Sequence, residues 1–228
     1  MNEEQQLIYN ELMSKYNFDE SGSDEIKLGL EKELDISWYA NPEFNEYQMR
    51  EIRRGLEKNL DVSVYARSEF NDEQMEEIRL GLEKHLEVKL YANPKFDGFQ
   101  MFQIRRGLIL RLDVSLYADP KFEWAKMQQV REGLELGLDV SIYANIEYNW
   151  KQMSEIRKGL ESKVDVSYYA KSEFNPWQMF QIRRGLEDGI DVTLYLNPSI
   201  DWEEMQRIRL ELEGNKSVSY THLTLPTK

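Results

Sequence analysis

The chain has 228 residues, with 42 acidic against 29 basic side chains and a net charge of −13. That surplus argues against direct nucleic-acid binding, because a phosphate-binding surface must be basic to displace counterions. The absence of cysteine excludes disulfides and thiolate metal sites, and a hydrophobic content of 41% is enough to build a core rather than a disordered acidic coil.

In chain order, residues 1–17 come first. Leu7, Ile8, Leu12 and Met13 stand among acids and amides, a pattern that predicts an N-terminal capping helix. The opening residues lack a basic stretch followed by an apolar one, and no apolar run reaches membrane-spanning length. A cytoplasmic chain without membrane contact is expected.

From residue 18 the sequence repeats. An aromatic or apolar anchor recurs every 26 residues, at Phe18, Phe44, Phe70, Phe96, Phe122, Tyr148, Phe174 and Ile200. Internal repetition of this kind marks stacked units that bury a shared core. Within a unit, Met49, Ile52, Leu56 and Leu60 fall three or four residues apart, which places them along one helix face. Asn45 and Gln48 form the sequence signature of a capping box, and Phe44 and Met49 are spaced for a hydrophobic staple. The helix is expected to end near residue 59, where sister units carry Gly137 and Gly189 for a left-handed turn.

The second half of the unit reads D-V-S-x-Y-A. Asp61 is placed to cap a short helix over Val62 to Ala66, stopped in several copies by Asn-Pro or Asp-Pro. Alternating Val62 and Val64 also suit a short strand. The favoured fold class is therefore all-α, a solenoid of two-helix repeats over 18–216, with an α/β solenoid of leucine-rich-repeat type as the alternative. Residues 217–228 match nothing in the unit and resemble the translation of a sequencing adapter. They read as a non-native or disordered tail, with the natural chain extending past residue 216.

The regular series read as architecture. The tryptophans Trp124, Trp150 and Trp202 suit packing between repeats better than a ligand-stacking ladder. The arginines Arg53, Arg79, Arg105, Arg131, Arg157, Arg183 and Arg209 suit a satisfied ladder between units better than a phosphate row. The recurrent glycine, as at Gly55, reads as a place where a neighbouring helix approaches. The Asp61 series reads as helix caps, since calcium-loop spacing is missing. Partner-binding candidates lie on the outward helix face, where repeats differ: Phe99, Phe102, Arg106, Ile109 and Leu110; Trp177, Phe180 and Arg184; and Tyr47, Arg50 and Arg54. Clusters of aromatic residues with arginine are what binding hot spots consist of.

Catalytic signals are sparse. The histidines are His85 and His222 alone, and no phosphate loop, nucleophile elbow or metal-binding histidine spacing occurs. No cofactor or metal is expected. The Q-M-x-x-I-R-x-G-L-E…D-V-S-x-Y-A unit resembles tandem repeats of gut-bacterial and mobile-element proteins over residues 18 to about 214, a likeness that implies a repeat array and no particular activity. The plan also resembles tetratricopeptide and HEAT α-solenoids, in architecture only. The expected function is a non-enzymatic scaffold for a protein or peptide partner, with self-association through the outward apolar patch also compatible. The alternative is an acidic mimic of nucleic acid that inhibits a DNA- or RNA-binding protein.

Overall fold

The computed structural model describes residues 1–223, with side chains described through residue 215. The expected tail at 217–228 falls outside those described side chains, and residues 224–228 lie outside the description altogether. Every regular element among the described residues is helical, and none is a strand. The chain divides into two compact units, Met1–Pro120 and the part from Lys121 onward. The first holds α1 (Glu3–Lys15), α2 (Glu20–Glu31), α3 (Glu46–Glu57), α4 (Asp72–Glu83) and α5 (Gly98–Ile109). The second holds α6 (Trp124–Glu135), α7 (Trp150–Glu161), α8 (Pro176–Glu187) and α9 (Trp202–Leu223). Inside each unit successive helices pack side by side in a repeated, solenoid-like arrangement.

The local rules read from the sequence explain each repeat. In α3 the Asn45 side chain accepts from the Gln48 backbone N–H at 2.9 Å, and Gln48 Oε1 accepts from the Asn45 N–H at 2.8 Å. Two donors that the helix start would leave unpaired are thereby satisfied. The helix closes with Asn59 in the left-handed region, φ +54°, and the Leu60 N–H donates back to the Gly55 carbonyl at 3.0 Å. This is the Schellman geometry. Gly137 and Gly189 occupy the same position at φ +68° and +64°, as their composition predicts.

The second segment is a helix of one turn. Val62–Val64 forms a three-residue 3-10 helix, shorter than the five residues expected. Asp61 Oδ1 accepts from both the Ser63 backbone N–H and its hydroxyl, so the conserved-looking aspartate of the unit is a cap, and the strand alternative is not what forms. The reason is local: a side-chain acceptor two residues upstream satisfies the turn more cheaply than a sheet partner could.

The core of each repeat is built from the anchor ring, the Met–Ile pair and one tyrosine. Phe70, Met75, Ile78 and Tyr91 are fully buried together. The tyrosine is the feature that organises the repeat. Tyr65 crosses back over its own helix, and its hydroxyl donates to the Glu51 carbonyl at 3.1 Å. The recurrent glycine lies directly under it: a Cβ built on Gly55 would stand 1.9 Å from the Tyr65 oxygen and 2.9 Å from Val62 Cγ1. The glycine was expected to admit a neighbouring helix; it admits the tyrosine of its own repeat instead.

Burial of these phenols has a consequence for alkaline stability. Desolvation raises the pKa of Tyr39, Tyr65, Tyr91, Tyr143 and Tyr169, and pushes Tyr195 up to about 12. A raised folded-state pKa favours the neutral form, so this stabilisation is complete below the unfolded value of about 10 and is lost as pH rises beyond it. Denaturant midpoints measured from pH 9 upward should fall steeply past pH 10. Phenolate absorbance from these tyrosines should appear together with loss of helical circular dichroism, rather than before it.

Candidate functional site

Two polar ladders account for the regular side chains. In the first, the capping glutamine reaches forward one repeat: Gln48 Nε2 donates to the Phe70 carbonyl at 2.6 Å, Gln152 Nε2 to the Phe174 carbonyl at 2.8 Å, and Gln178 Nε2 to the Ile200 carbonyl at 2.6 Å. One amide thus caps its own helix and fixes the next anchor. In α6 the position is Lys126, which reaches Ile146 O at 2.8 Å, and the N-cap Glu123 makes no side-chain capping bond.

The second ladder holds the arginines. Arg53 Nε donates to Glu25 at 2.6 Å, Arg79 Nε to Glu51 at 2.6 Å, Arg105 Nε to Glu77 at 2.6 Å and Arg183 Nε to Glu155 at 2.9 Å. Arg157 and Arg209 find glutamine instead, at Gln129 and Gln181, both at 3.1 Å. Each acceptor belongs to the preceding repeat. Most of these arginines also pair four residues on along their own helix, as Arg79 does with Glu83 and Arg53 with Glu57. Each of these guanidinium groups has an acceptor on the preceding repeat, so the row is part of the scaffold, as its spacing suggested.

The outward face is different, because its residues vary from repeat to repeat. Three grooves occur at the same register between neighbouring helices. Between α3 and α4, about 170 Å³ is lined by Tyr47, Arg50, Arg54, Asp72 and Glu76. Its arginines are already engaged, Arg50 on Glu25 at 2.9 Å and Arg54 on Glu51 at 2.7 Å. Between α4 and α5, about 260 Å³ lies among Glu73, Glu76, Glu77, Gly98, Phe99 and Phe102. Between α7 and α8, about 220 Å³ is bordered by Trp150, Lys151, Ser154, Pro176, Trp177 and Phe180, with Glu155 paired to Lys158 at 2.8 Å in the same wall.

The expected binding residues therefore divide. Phe99 is 60% exposed and Trp177 59%, each forming one wall of a groove with Phe102 or Phe180. Arg105 covers the Phe102 ring at 5.6 Å, and Arg183 the Phe180 ring at 5.4 Å, so a scaffold arginine backs one ring of each groove. Arg106, Ile109 and Leu110 continue exposed toward the end of α5, and Arg184 is exposed on α8. The tryptophans are less internal than their spacing implied. Trp124 and Trp150 remain exposed, while Trp202 stacks on Trp177 at 5.7 Å.

Sequence reasoning missed the opposite walls, Glu73 and Glu76 in one groove and Lys151 and Lys158 in the other. It also missed a second exposed series, the x of D-V-S-x-Y, which is apolar in every copy: Trp38, Val64, Leu90 and Leu116 in the first unit, and Ile142, Tyr168 and Leu194 in the second. Most of these are exposed, Leu194 the most. The signal was available, since an apolar or aromatic residue recurring at a one-turn helix departs from an ordinary solvated turn.

These features define an all-helical tandem-repeat protein whose invariant side chains build the stack and whose variable ones line surface grooves. Compared with protein-family models, curated proteins and solved structures, the chain matches none. Among the described residues there is no cluster of histidine, aspartate and glutamate arranged to hold a metal, and no helix long and apolar enough to cross a membrane.

Proposed function

We propose that the chain is a non-enzymatic interaction scaffold that presents its outward helix face to a protein or peptide partner. The observation that carries this reading is the placement of the exposed rings Phe99, Phe102 and Trp177, with the half-buried Phe180 beside the last, along two surface grooves. Exposed aromatic rings cost solvation and supply binding energy when covered. Mimicry of nucleic acid would call for evenly spaced carboxylates on one face. The corresponding helix positions instead run Tyr47, Arg50, Arg54, then Glu73, Glu76, Leu80, then Phe99, Phe102, Arg106, which favours the scaffold.

The test is selection of peptide ligands by the wild-type protein from a random display library, followed by binding measurements on a variant with Phe99, Phe102 and Phe180 all replaced by serine. Affinity should fall by at least roughly tenfold, the loss expected when hot-spot rings are truncated, while far-ultraviolet circular dichroism stays unchanged. Undiminished affinity in the folded variant overturns the proposal.

A further inference from the structure

The two aromatic grooves share a register and differ in the charge of the facing wall. In each, the anchor-plus-three and anchor-plus-six positions of the second helix supply rings, Phe99 and Phe102 on α5 and Trp177 and Phe180 on α8. The same two positions of the first helix supply the opposite wall. On α4 they are Glu73 and Glu76; on α7 they are Lys151 and Ser154.

Gly98 shapes the acidic groove. Its place in the other units holds an acid, a tryptophan or a proline, and its backbone is not in the left-handed region that would call for glycine. A Cβ there would lie 2.9 Å from Glu73 Cβ and 3.1 Å from Glu73 Oε2. The absent side chain lets the Glu73 carboxylate lie against the start of α5, beside the rings. Glu73 makes no ion pair among the described residues, and Glu76 is half exposed with only a long 3.9 Å contact to Arg79. Glu77, by contrast, is neutralised by Arg105. Two uncommitted carboxylates beside the exposed Phe99 ring suit a cation, whose charge is attracted by both the carboxylates and the ring face.

We infer that the α4–α5 groove takes an arginine or lysine side chain of a basic peptide segment, with an apolar neighbour of that side chain resting on Phe99. This rests on the scaffold reading and adds the chemistry of the partner. The α7–α8 groove, with rings at the same two positions and Lys151 on its wall, is the built-in comparison.

The test is a titration of the isotope-labelled chain with a short peptide alternating arginine and leucine, followed by amide shifts at about 0.15 M salt. Under those conditions charges beyond about 8 Å are screened, and the general net charge of −13 contributes little. Shifts should gather at residues 73–77 and 98–102 and spare 150–158 and 176–180. Replacing Glu73 and Glu76 together by glutamine should weaken binding roughly tenfold, with circular dichroism unchanged because both side chains are exposed. Undiminished affinity in that variant, or shifts spread over all the acidic helices, overturns the inference. If a neutral glutamine–leucine peptide binds the groove equally well, charge selection falls while the scaffold reading stands. If neither peptide perturbs the α4–α5 groove, the inference falls, and the scaffold reading is decided by the library-selected ligands.

Discussion

Replacing Gly55 by alanine should lower the stability of the first unit by about 3 kcal/mol, toward the upper end of the usual range for overpacking. The cause is distance. The new methyl would sit 1.9 Å from the Tyr65 hydroxyl and 2.9 Å from Val62 Cγ1, and Tyr65 is fully buried with its hydroxyl donating to the Glu51 carbonyl. The ring cannot move outward without giving up that bond. Alanine ordinarily stabilises an exposed helix interior by up to about 1 kcal/mol over glycine, so the sign of the change is itself diagnostic. Pairing the substitution with Tyr65→Phe removes the nearest clashing atom and leaves the ring carbon at 3.2 Å. The double variant should therefore be more stable than Gly55→Ala alone, although Tyr65→Phe by itself costs about 1 kcal/mol for the lost hydrogen bond. Denaturant midpoints of the four proteins measure the coupling directly, and simple additivity would refute the interlock.

The second large effect concerns the buried ion pairs. Arg79 is 6% exposed and bridges Glu51 of the preceding repeat, itself 8% exposed, to Glu83 of its own helix. Arg79→Met should cost about 3 kcal/mol, the low end of the range for breaking a buried pair, because Arg54 and Lys58 still partner the two carboxylates. Glu51→Gln should cost less than about 1 kcal/mol, since an amide oxygen still accepts from the guanidinium. The chain contains its own precedent: Arg157 and Arg209 bond to Gln129 and Gln181 at the equivalent position. Equal losses from the two substitutions, read by thermal melting, would show that charge rather than hydrogen bonding holds the ladder.

Much of the repeat was legible because its determinants are local. The Asn45–Gln48 box, the left-handed turn at Gly137 and the Asp61 cap each involve residues within a few positions of one another, where short-range geometry decides the outcome. The arginine ladder was legible for another reason: a charge repeated at a helix flank in every copy has to be neutralised by the adjacent copy. The role of Gly55 was not, because it depends on Tyr65 ten residues away folding back across the helix. The paired walls of the grooves were hidden for the same reason. Glu73 and Phe99 are one repeat apart in sequence, and their juxtaposition follows only once the stacking register is known. The candidate rings could be chosen from the wheel, but the sign of the charge facing them could not.

The forward reach of the capping glutamines bears on how such a gene changes length. The glutamine bonds to the next anchor span 22 residues, and the Nε bonds of the arginine ladder span 28. A copying slip that adds or removes one whole 26-residue unit within a run of like copies regenerates every one of these offsets at the new junction. A slip that is not a whole number of units breaks the bonds that span the junction. Recombination between similar copies is therefore structurally silent in the interior while reshuffling which outer walls become neighbours, so that new combinations of ring and charge arise without disturbing the frame that carries them.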